Sequence, residues 1–192
     1  GGDATTATGV VRERGDAALT HSPGRVDPAD PAWQNSRKPL AGEFTFRGER
    51  VFLIANHFAS KGGDEPLAGH RQPPTRSSET QRHAQAASVN TFVKKLLSAD
   101  RKAKVLVLGD INDFEFSTTT RTLTAGKALK PAALSLPPAE RYSYVFQGNS
   151  QILDQILVTP AVKHFHYDSV HINAEFADQN SDHDPQVLRF RP

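Results

Sequence analysis

The sequence predicts an α/β fold, in which helices cover a β-sheet, and three segments carry this prediction. The uninterrupted apolar run Val105-Leu106-Val107-Leu108 is typical of a strand that is buried on both faces. A second apolar run covers residues 51–55 and predicts another central strand. Apolar residues then recur at helical spacing from Ser78 to about Ser98, which predicts an amphipathic helix packed on the sheet.

The composition is that of a globular domain that can bind a polyanion. The chain has 192 residues, of which 37% are hydrophobic, so a packed core can form. The formal charge is only +2, but the pI of about 9.0 leaves room for a polyanionic partner. The absence of Cys excludes disulfides, thiolate metal sites and Cys nucleophiles, so a metal would be held by oxygen or imidazole.

Neither a membrane span nor a signal peptide is predicted. An apolar run of about 18 residues, which a span requires, is missing from the sequence. Residues 1–8 lack the basic and apolar regions of a signal peptide. A start at Gly-Gly without an initiator Met is expected of a processed fragment.

The first 42 residues carry little periodic signal. A ragged strand or hairpin is predicted at residues 10–19. A Pro-rich loop follows over residues 23–39, and it contains Trp33, which we expect to anchor the loop rather than to form a substrate platform.

The next segment predicts a hairpin, a long loop and the start of the helix. Residues 43–46 and 51–55 flank Arg47-Gly48-Glu49-Arg50, a turn of hairpin length, and so predict an antiparallel pair. Residues 60–75 form a polar loop of a length that is often functional. Ser78-Glu79-Thr80-Gln81 then fits a capping box.

Shorter elements are predicted after the central strand. They are a short helix over residues 117–127, a Pro-broken loop over 131–138, a hairpin of 142–146 with 151–158 through 147–150, and a last strand at 186–190.

Polar side chains able to bind a cation or a phosphate follow the strand 105–108 directly. Gly109 ends the apolar run, and Asp110, Asn112 and Asp113 come next. Because strand side chains alternate, Asp110 and Asn112 are expected to point the same way from the carboxyl end of the strand, where open α/β sheets place their sites. The alternative is an ordinary turn, since Asp and Asn bond their own backbone.

Four segments together resemble the second half of the endonuclease/exonuclease/phosphatase superfamily. In order along the chain, they are Asn56-His57-Phe58, Gly109-Asp110-Ile111-Asn112-Asp113, Leu153-Asp154-Gln155 and Ser181-Asp182-His183-Asp184-Pro185. The resemblance implies part of a four-layered α/β sandwich of the deoxyribonuclease-like fold, with a mainly antiparallel or mixed sheet and packed helices. It covers residues 37–192 and leaves 1–36 as a poorly matched lead-in.

The segment from Asn56 to Ala86, with Tyr142 to Asp154 and His171 to Phe176, resembles secreted bacterial nuclease-like members of the superfamily. This resemblance implies a secreted or periplasmic bacterial hydrolase.

The resemblance also implies roles for individual residues. His183 would be the general base and Asp154 its partner, while Asp110 would position the attacking water. The remaining implied residues are Asn112, His57 and Asn56 as phosphate-binding groups, the first two also catalytic, and Asp182 and Asp110 as metal ligands. Lys61 and Arg76, in or next to the polar loop, are further candidates for phosphate binding, with a solvated surface loop as the alternative. His164, His166 and His171 are expected to be satisfied structural residues.

One departure from the superfamily affects the expected activity. Its first half supplies an early Asn and a metal-binding Glu, and no segment before Arg37 resembles them; Glu13 lies in what looks like a turn. The chain is therefore expected to be the C-terminal part of the domain and to bind Mg²⁺ (or Ca²⁺ or Mn²⁺) weakly, with the missing N-terminal half as a candidate partner.

Three functions remain open from the sequence. The first is a metal-dependent phosphodiester hydrolase, most simply a nuclease acting on DNA or RNA. The second is a non-catalytic fragment that binds a polyanion or a partner. The third is a lipid or inositol phosphodiesterase of the same superfamily, although no exposed apolar hairpin that would insert into a membrane is expected.

Overall fold

The computed structural model describes residue 2, residues 5–66 and residues 68–192 of the chain. In this described part, the strands are β1 (Ala7–Thr8), β2 (Val10–Glu13), β3 (Asp16–Leu19), β4 (Gly24–Val26), β5 (Leu40–Phe46), β6 (Glu49–His57), β7 (Lys104–Asp110), β8 (Lys130–Pro131), β9 (Tyr144–Phe146), β10 (Asn149–Gln151), β11 (Asp154–Val158), β12 (His166–Ser169) and β13 (Gln186–Arg189). The helices are α1 (Ser77–Ala99) and α2 (Thr118–Leu123), and short 3-10 turns cover Pro31–Trp33, Ala125–Lys127, Ala132–Ser135 and Pro138–Glu140.

A seven-stranded mixed sheet forms the centre of the fold, with the strand order β1-β4-β5-β6-β7-β11-β8. β6 and β7 are parallel neighbours, and β5 and β11 flank them in antiparallel orientation. Both strands that the sequence predicted as central are therefore confirmed. The strands β1 and β4 belong to the same sheet, so the poorly matched lead-in of residues 1–36 contributes to it.

The helix α1 covers one face of this sheet. Its buried residues Val93 and Leu96 join Ile54 and Val107 in the main apolar core. The predicted amphipathic helix is thus confirmed, and it extends one residue beyond the predicted bounds at each end.

The N-terminus of α1 is not closed by the predicted capping box. Helix α1 begins at Ser77, so Ser78 lies inside it, and Arg76 at the cap position makes no side-chain hydrogen bond. Instead, the Asp64 carboxylate accepts the Ser78 backbone N–H at 3.0 Å and the Ser78 hydroxyl at 2.5 Å. The loop that precedes the helix therefore folds back and supplies the cap.

Both predicted N-terminal hairpins are present. β5 and β6 are joined by Arg47 and Gly48, whose φ values of 53° and 81° fit a two-residue turn, so the turn is shorter than predicted. β2 and β3 form the hairpin predicted at residues 10–19. Trp33 is 1% exposed and its ring centroid lies 6.0 Å from that of Phe58, which confirms its role as an anchor.

The sequence misplaced strands in the C-terminal third. The hairpin expected between residues 142–146 and 151–158 is split, because β9 pairs with β10 whereas β11 joins the central sheet beside β7. The predicted Pro-broken loop contains the edge strand β8 and a 3-10 turn. The short helix predicted at residues 117–127 is present as α2, capped by the Ser117 side chain, with a 3-10 turn after it. The predicted last strand is β13.

The face of the central sheet opposite α1 is only partly covered. Leu188 of β13 packs with Leu106 and Val158 there. On β5, Phe44 and Phe46 are 54% and 55% exposed, so an apolar part of the sheet faces solvent. Among the described residues, no helix has the length and apolar character of a membrane span.

Gly109 fixes the register of the two central strands. It lies in β7 opposite Asn56 of β6, with φ of 122°. A Cβ atom at this position would overlap the carbonyl oxygen of Asn56. Only glycine allows this approach of the two backbones.

We expect Gly109→Ala to destabilise the protein by roughly 3 kcal/mol or more, because strain and a backbone clash combine. Gly48→Ala is the matched control, since Gly48 also has a positive φ but nothing lies within 4 Å of an added Cβ. The control is expected to cost about 1 kcal/mol. Urea unfolding measures both, and equal losses would contradict the close approach.

Candidate active site

Three predicted site residues form one row across the central sheet. His57 of β6 pairs in register with Asp110 of β7, and Asp110 pairs with Asp154 of β11. Cross-strand partners share a face of the sheet, so the three side chains lie side by side at the ends of their strands. His57 Nε2 lies 3.5 Å from Asp110 Oδ2.

The turn after β7 holds the other side of the Asp110 carboxylate. Asp110 Oδ1 accepts the backbone N–H of Asn112 at 2.8 Å. Asn112 has a φ of 54°, which Asn tolerates better than most residues. Its side-chain Nδ2 donates to the carbonyl of Phe58 at 3.1 Å, so one amide proton is engaged within the protein.

The His183 imidazole is paired with Asp154. The distance between His183 Nδ1 and Asp154 Oδ2 is 2.5 Å. Ser143, which is fully buried, donates its hydroxyl to the same carboxylate oxygen at 2.8 Å. Gln186 donates its side-chain amide to the backbone carbonyl of Asp154. Asp154 thereby has a fixed orientation toward the imidazole.

The loop that carries His183 is anchored by its neighbour Asp184. This residue is 3% exposed, and its Oδ1 accepts the backbone N–H groups of Ile172, Asn173 and Ala174. Its other oxygen lies 3.0 Å from His171 Nδ1. His171 therefore takes part in this anchor through Nδ1, whereas its buried Nε2 makes no hydrogen bond in the described chain.

Charge crowding perturbs both acid–base groups at the centre of the row. Burial raises the pKa of Asp110, and the neighbouring carboxylate of Asp154 raises it further. The hydrogen bond with Asp154 raises the pKa of His183, and this effect outweighs burial, which acts in the opposite direction. An additional cation would relieve the repulsion between the two carboxylates.

Asp110, Asp154 and His183 form a possible metal-binding group. One potential ligand atom from each residue lies within 4.8 Å of those of the other two. In the described part of the chain, this is the group of three His, Asp or Glu residues that are close enough to share a metal ion. Asp182, which the resemblance implied as a ligand, is exposed and lies outside the group. Asp110 and Asp154 are therefore the two carboxylates available to a metal ion. Oδ2 of Asp154 already contacts both His183 and Ser143.

Two cationic side chains, Lys61 and Arg82, contact Asp113 in the turn after β7 and form the cationic side of the site. Lys61 Nζ is 3.8 Å from Asp113 Oδ1 and 3.9 Å from the centroid of the Phe114 ring. Burial lowers the pKa of Lys61, and the carboxylate of Asp113 opposes that shift. Arg82 of α1, almost fully buried, places Nε 3.6 Å from Asp113 Oδ2 and ties this turn to the helix.

Two predicted phosphate-binding residues are not brought to the row. Asn56 is buried, and its side-chain Nδ2 donates to the backbone carbonyls of Ile54 and Leu108. Successive strand residues point to opposite faces, so Asn56 cannot share the face of His57. Arg76 is half exposed and lies 4.0 Å from Glu79 on the first turn of the helix.

Sequence reasoning missed Ser143, Gln186 and Arg82. Each makes its contact across a long separation in sequence: Ser143 is 11 residues from Asp154, and Gln186 is 32 residues from it. Arg82 lies at a position that the helical spacing of apolar residues places on the buried face of α1. This position was the one local signal for its role.

Comparison with known proteins places this arrangement in a familiar fold. A sequence profile described as "Endonuclease/Exonuclease/phosphatase family" matches residues 18–181. This match begins before Arg37, so it includes part of the lead-in. A comparison with curated proteins gave no match.

Several solved structures are similar in fold. Truncated Caenorhabditis elegans TDP2 is 16% identical with a TM-score of 0.59, and the alignment covers 96% of this chain and 65% of that one. Sphingomyelinase C from Streptomyces griseocarneus is 17% identical with a TM-score of 0.53, covering 80% and 57%. The F277A, P278A mutant of Staphylococcus aureus beta toxin, solved with bound magnesium ions, is 18% identical with a TM-score of 0.53, covering 83% and 60%. The chain thus spans less than two thirds of the length of each.

We expect His183 to titrate above the ordinary value of 6.5 in the metal-free protein, because Asp154 favours the imidazolium. The sign follows for stability: the ion pair stabilises the fold fully below pH 6.5, and its contribution is lost as pH rises through the raised pKa. NMR titration of the imidazole protons measures this. Asp154→Asn should lower the His183 pKa.

Asp168→Asn is the matched control, since Asp168 is an exposed carboxylate on β12. It should leave the titration of His183 unchanged. A His183 titration that is insensitive to Asp154→Asn would show that the pair does not set the state of the imidazole.

Proposed function

The chain belongs to the endonuclease/exonuclease/phosphatase family, whose members are metal-dependent phosphodiester hydrolases, and we propose that it carries the general-base part of such an enzyme acting on nucleic acid. The observation that carries the proposal is the convergence of Asp110, Asp154 and His183, which come from separate strands and loops to within 4.8 Å. Grouped ionisable side chains with shifted pKa values at strand ends are typical of active sites.

His183 is the proposed general base. Its Nδ1 is held by Asp154 at 2.5 Å, which leaves Nε2 as the ring nitrogen that accepts a proton from water. Asp154 orients the ring and stabilises the imidazolium that forms, and Ser143 keeps Asp154 in place. The His183 side chain is 27% exposed, so water can reach it.

The phosphate-facing groups are proposed on the other side of the row. Asp110 would orient the attacking water by accepting a hydrogen bond from it, while His183 takes the proton. His57 is 40% exposed beside Asp110 and is available to a phosphoryl oxygen. The second amide proton of Asn112 and the ammonium of Lys61 would add donors for the developing charge.

The donor set fits a weakly held Mg²⁺, Ca²⁺ or Mn²⁺ ion. Two crowded carboxylates, Asp110 and Asp154, would hold it, and Asp154 Oδ1 makes no hydrogen bond in the described structure. Mg²⁺ usually keeps several waters and takes only one or two protein carboxylates. When bound, such an ion neutralises phosphate charge and makes a bound water more acidic.

A polar groove at the N-terminal end of α1 favours nucleic acid as the substrate. It has a volume of about 900 Å³ and includes Phe58, Ala59 and Ser60, the residues that follow His57. Arg37 and Lys38 supply two cations to its wall. The remaining lining is mainly polar and comprises Asn35, Ser36, Gly62, Ser77, Ser78 and Gln81. Such a groove suits a sugar–phosphate backbone.

A lipid or inositol phosphodiester is the second substrate candidate. The expectation that no apolar hairpin is exposed is wrong: Phe146 of the β9–β10 hairpin is 50% exposed, and Phe44 and Phe46 of the β5–β6 hairpin are more than half exposed. These side chains would suit a membrane surface. We favour nucleic acid because the groove at the N-terminal end of α1, which includes Phe58 directly after His57 in the chain, is polar and cationic. A fragment that binds polyanions without turnover is the third candidate.

We further propose that another part of the same domain covers the open face of the sheet beside β5. Two observations support this proposal. Phe44 and Phe46 are exposed, and this chain spans only 57% to 65% of the length of the similar structures. A secreted or periplasmic location is likewise a proposal, and it rests on the resemblance alone.

We expect His183→Ala to lower the rate of plasmid nicking by about 10²- to 10⁴-fold, which is the usual contribution of a general base. Nicking is measured in Mg²⁺ and in Ca²⁺, and EDTA should abolish it. Because only two carboxylates hold the ion, saturation should require a high metal concentration. His166→Ala, a change in an exposed histidine of β12, is the control. Equal activity of the two variants would refute the assigned base.

The groove predicts a change in the salt dependence of DNA binding. Replacing Arg37 and Lys38 by Ala should weaken binding and reduce the slope of log K against log salt by about 1 to 2, since up to two phosphate contacts are lost. The double replacement of Lys94 and Lys95 by Ala removes the same charge from the exposed side of α1 and should leave the slope nearly unchanged. Fluorescence anisotropy in EDTA over a salt series measures both. Matching slopes for the two double variants would rule the groove out.

A further inference from the structure

We propose that two pairs of aromatic side chains, Phe114 with Phe116 and Tyr144 with Phe146, each with its second ring exposed, are stacking platforms for the unpaired bases of a single-stranded polynucleotide that crosses the site. This inference rests on the proposed function, because it assumes a nucleic acid as the substrate. It adds that the strand is unpaired where it contacts the protein.

The first pair lies beside the cationic side of the site. The Phe114 and Phe116 rings are stacked, with centroids 5.1 Å apart and planes at 8°. Phe116 is 68% exposed, so its outer face is open. Lys61 Nζ is 3.9 Å from the Phe114 centroid. A base on this platform would have an ammonium group next to its phosphate.

The second pair is joined to the proposed general base. The Tyr144 ring centroid lies 4.9 Å from that of His183, and the Tyr144 backbone pairs with His183 in an isolated antiparallel bridge. Phe146 stacks on Tyr144, with centroids 6.2 Å apart and planes at 12°. Phe146 is 50% exposed. The aromatic surface therefore extends from the imidazole to the solvent.

The two pairs reach the row of site residues from different layers of the fold. Phe114 follows Asp113, whose carboxylate contacts Arg82 of α1 on one side of the sheet. Tyr144 lies against His183, just before β13, which packs on the opposite side. A strand held by both pairs would pass over Asp110 and Asp154, with bases bound on each side of the phosphate that is attacked.

Ring geometry indicates unpaired bases rather than a duplex. In both pairs the rings of residues i and i+2 are nearly parallel, in a turn for Phe114 and Phe116 and on strand β9 for Tyr144 and Phe146. Every base has a π face that stacks on such a ring, but in a duplex these faces are already covered. A membrane surface fits less well, because Lys61 would be carried into the apolar layer with Phe114.

The test is binding in EDTA, where no turnover occurs. The probes are a labelled 12-residue oligodeoxynucleotide, its duplex, and an abasic strand of the same length and charge. Phe116→Ala and Phe146→Ala should each weaken binding of the single strand by about fivefold or more. Phe116→Tyr should restore it, whereas Phe116→Leu should not. Phe44→Ala is the control, because Phe44 is 54% exposed on β5 but contacts none of the site residues.

The outcomes separate this inference from the proposed function. Equal affinity for the abasic and normal strands, or no effect of either Phe replacement beyond that of Phe44→Ala, would overturn the inference even if nicking depends on His183. Base-dependent binding without metal-dependent nicking would support the platforms and contradict the proposed hydrolase. Binding to phosphatidylcholine vesicles that Phe116→Ala and Phe146→Ala abolish, with no preference for single strands, would assign the pairs to a membrane and overturn the inference.

Discussion

The register of three neighbouring strands is the constraint on which the site depends. His57, Asp110 and Asp154 lie side by side because β6, β7 and β11 end at the same level. A slip of one residue would turn Asp110 to the face covered by α1. Gly109 opposes such a slip. Its lack of a side chain lets β7 approach the carbonyl oxygen of Asn56, and a slip would put a residue with a Cβ atom at this position. The chemistry of the carboxylates therefore rests on a backbone contact one residue earlier.

The same register creates an electrostatic cost that the surrounding residues offset. Two carboxylates placed directly opposite each other on adjacent strands repel, and burial raises the pKa of Asp110 as a result of lost hydration. His183 compensates Asp154, and His57 lies within reach of Asp110. The imidazole rings of the site are thus placed where the strands bring carboxylates together. A fold without function at this point would have little reason to retain opposed carboxylates.

Local patterns in the sequence were sufficient for elements whose signal lies within one segment. The central strands, α1 and the β5–β6 hairpin follow from apolar runs, helical spacing and a short turn. The Asp64 cap and the support of Asp154 by Ser143 were not predictable in this way, since both join segments that are distant in sequence. The split between β10 and β11 was missed because buried Ile152 and Leu153 continue the apolar run without a Gly or Pro. The error at Asn56 was avoidable, because alternation already separates it from His57.

The open apolar part of the sheet and the row of site residues lie on the same face. Leu40 and Phe44 of β5 pair with Ala55 and Val51 of β6, so all four point to the face opposite α1. His57 lies on that same face two residues beyond Ala55. Phe44 lies opposite Val51, however, and Val51 is about 20 Å from His57 along β6. An element that covers Phe44 would therefore contribute side chains near Asp110 and Asp154 only if it also ran along β6 toward its carboxyl end.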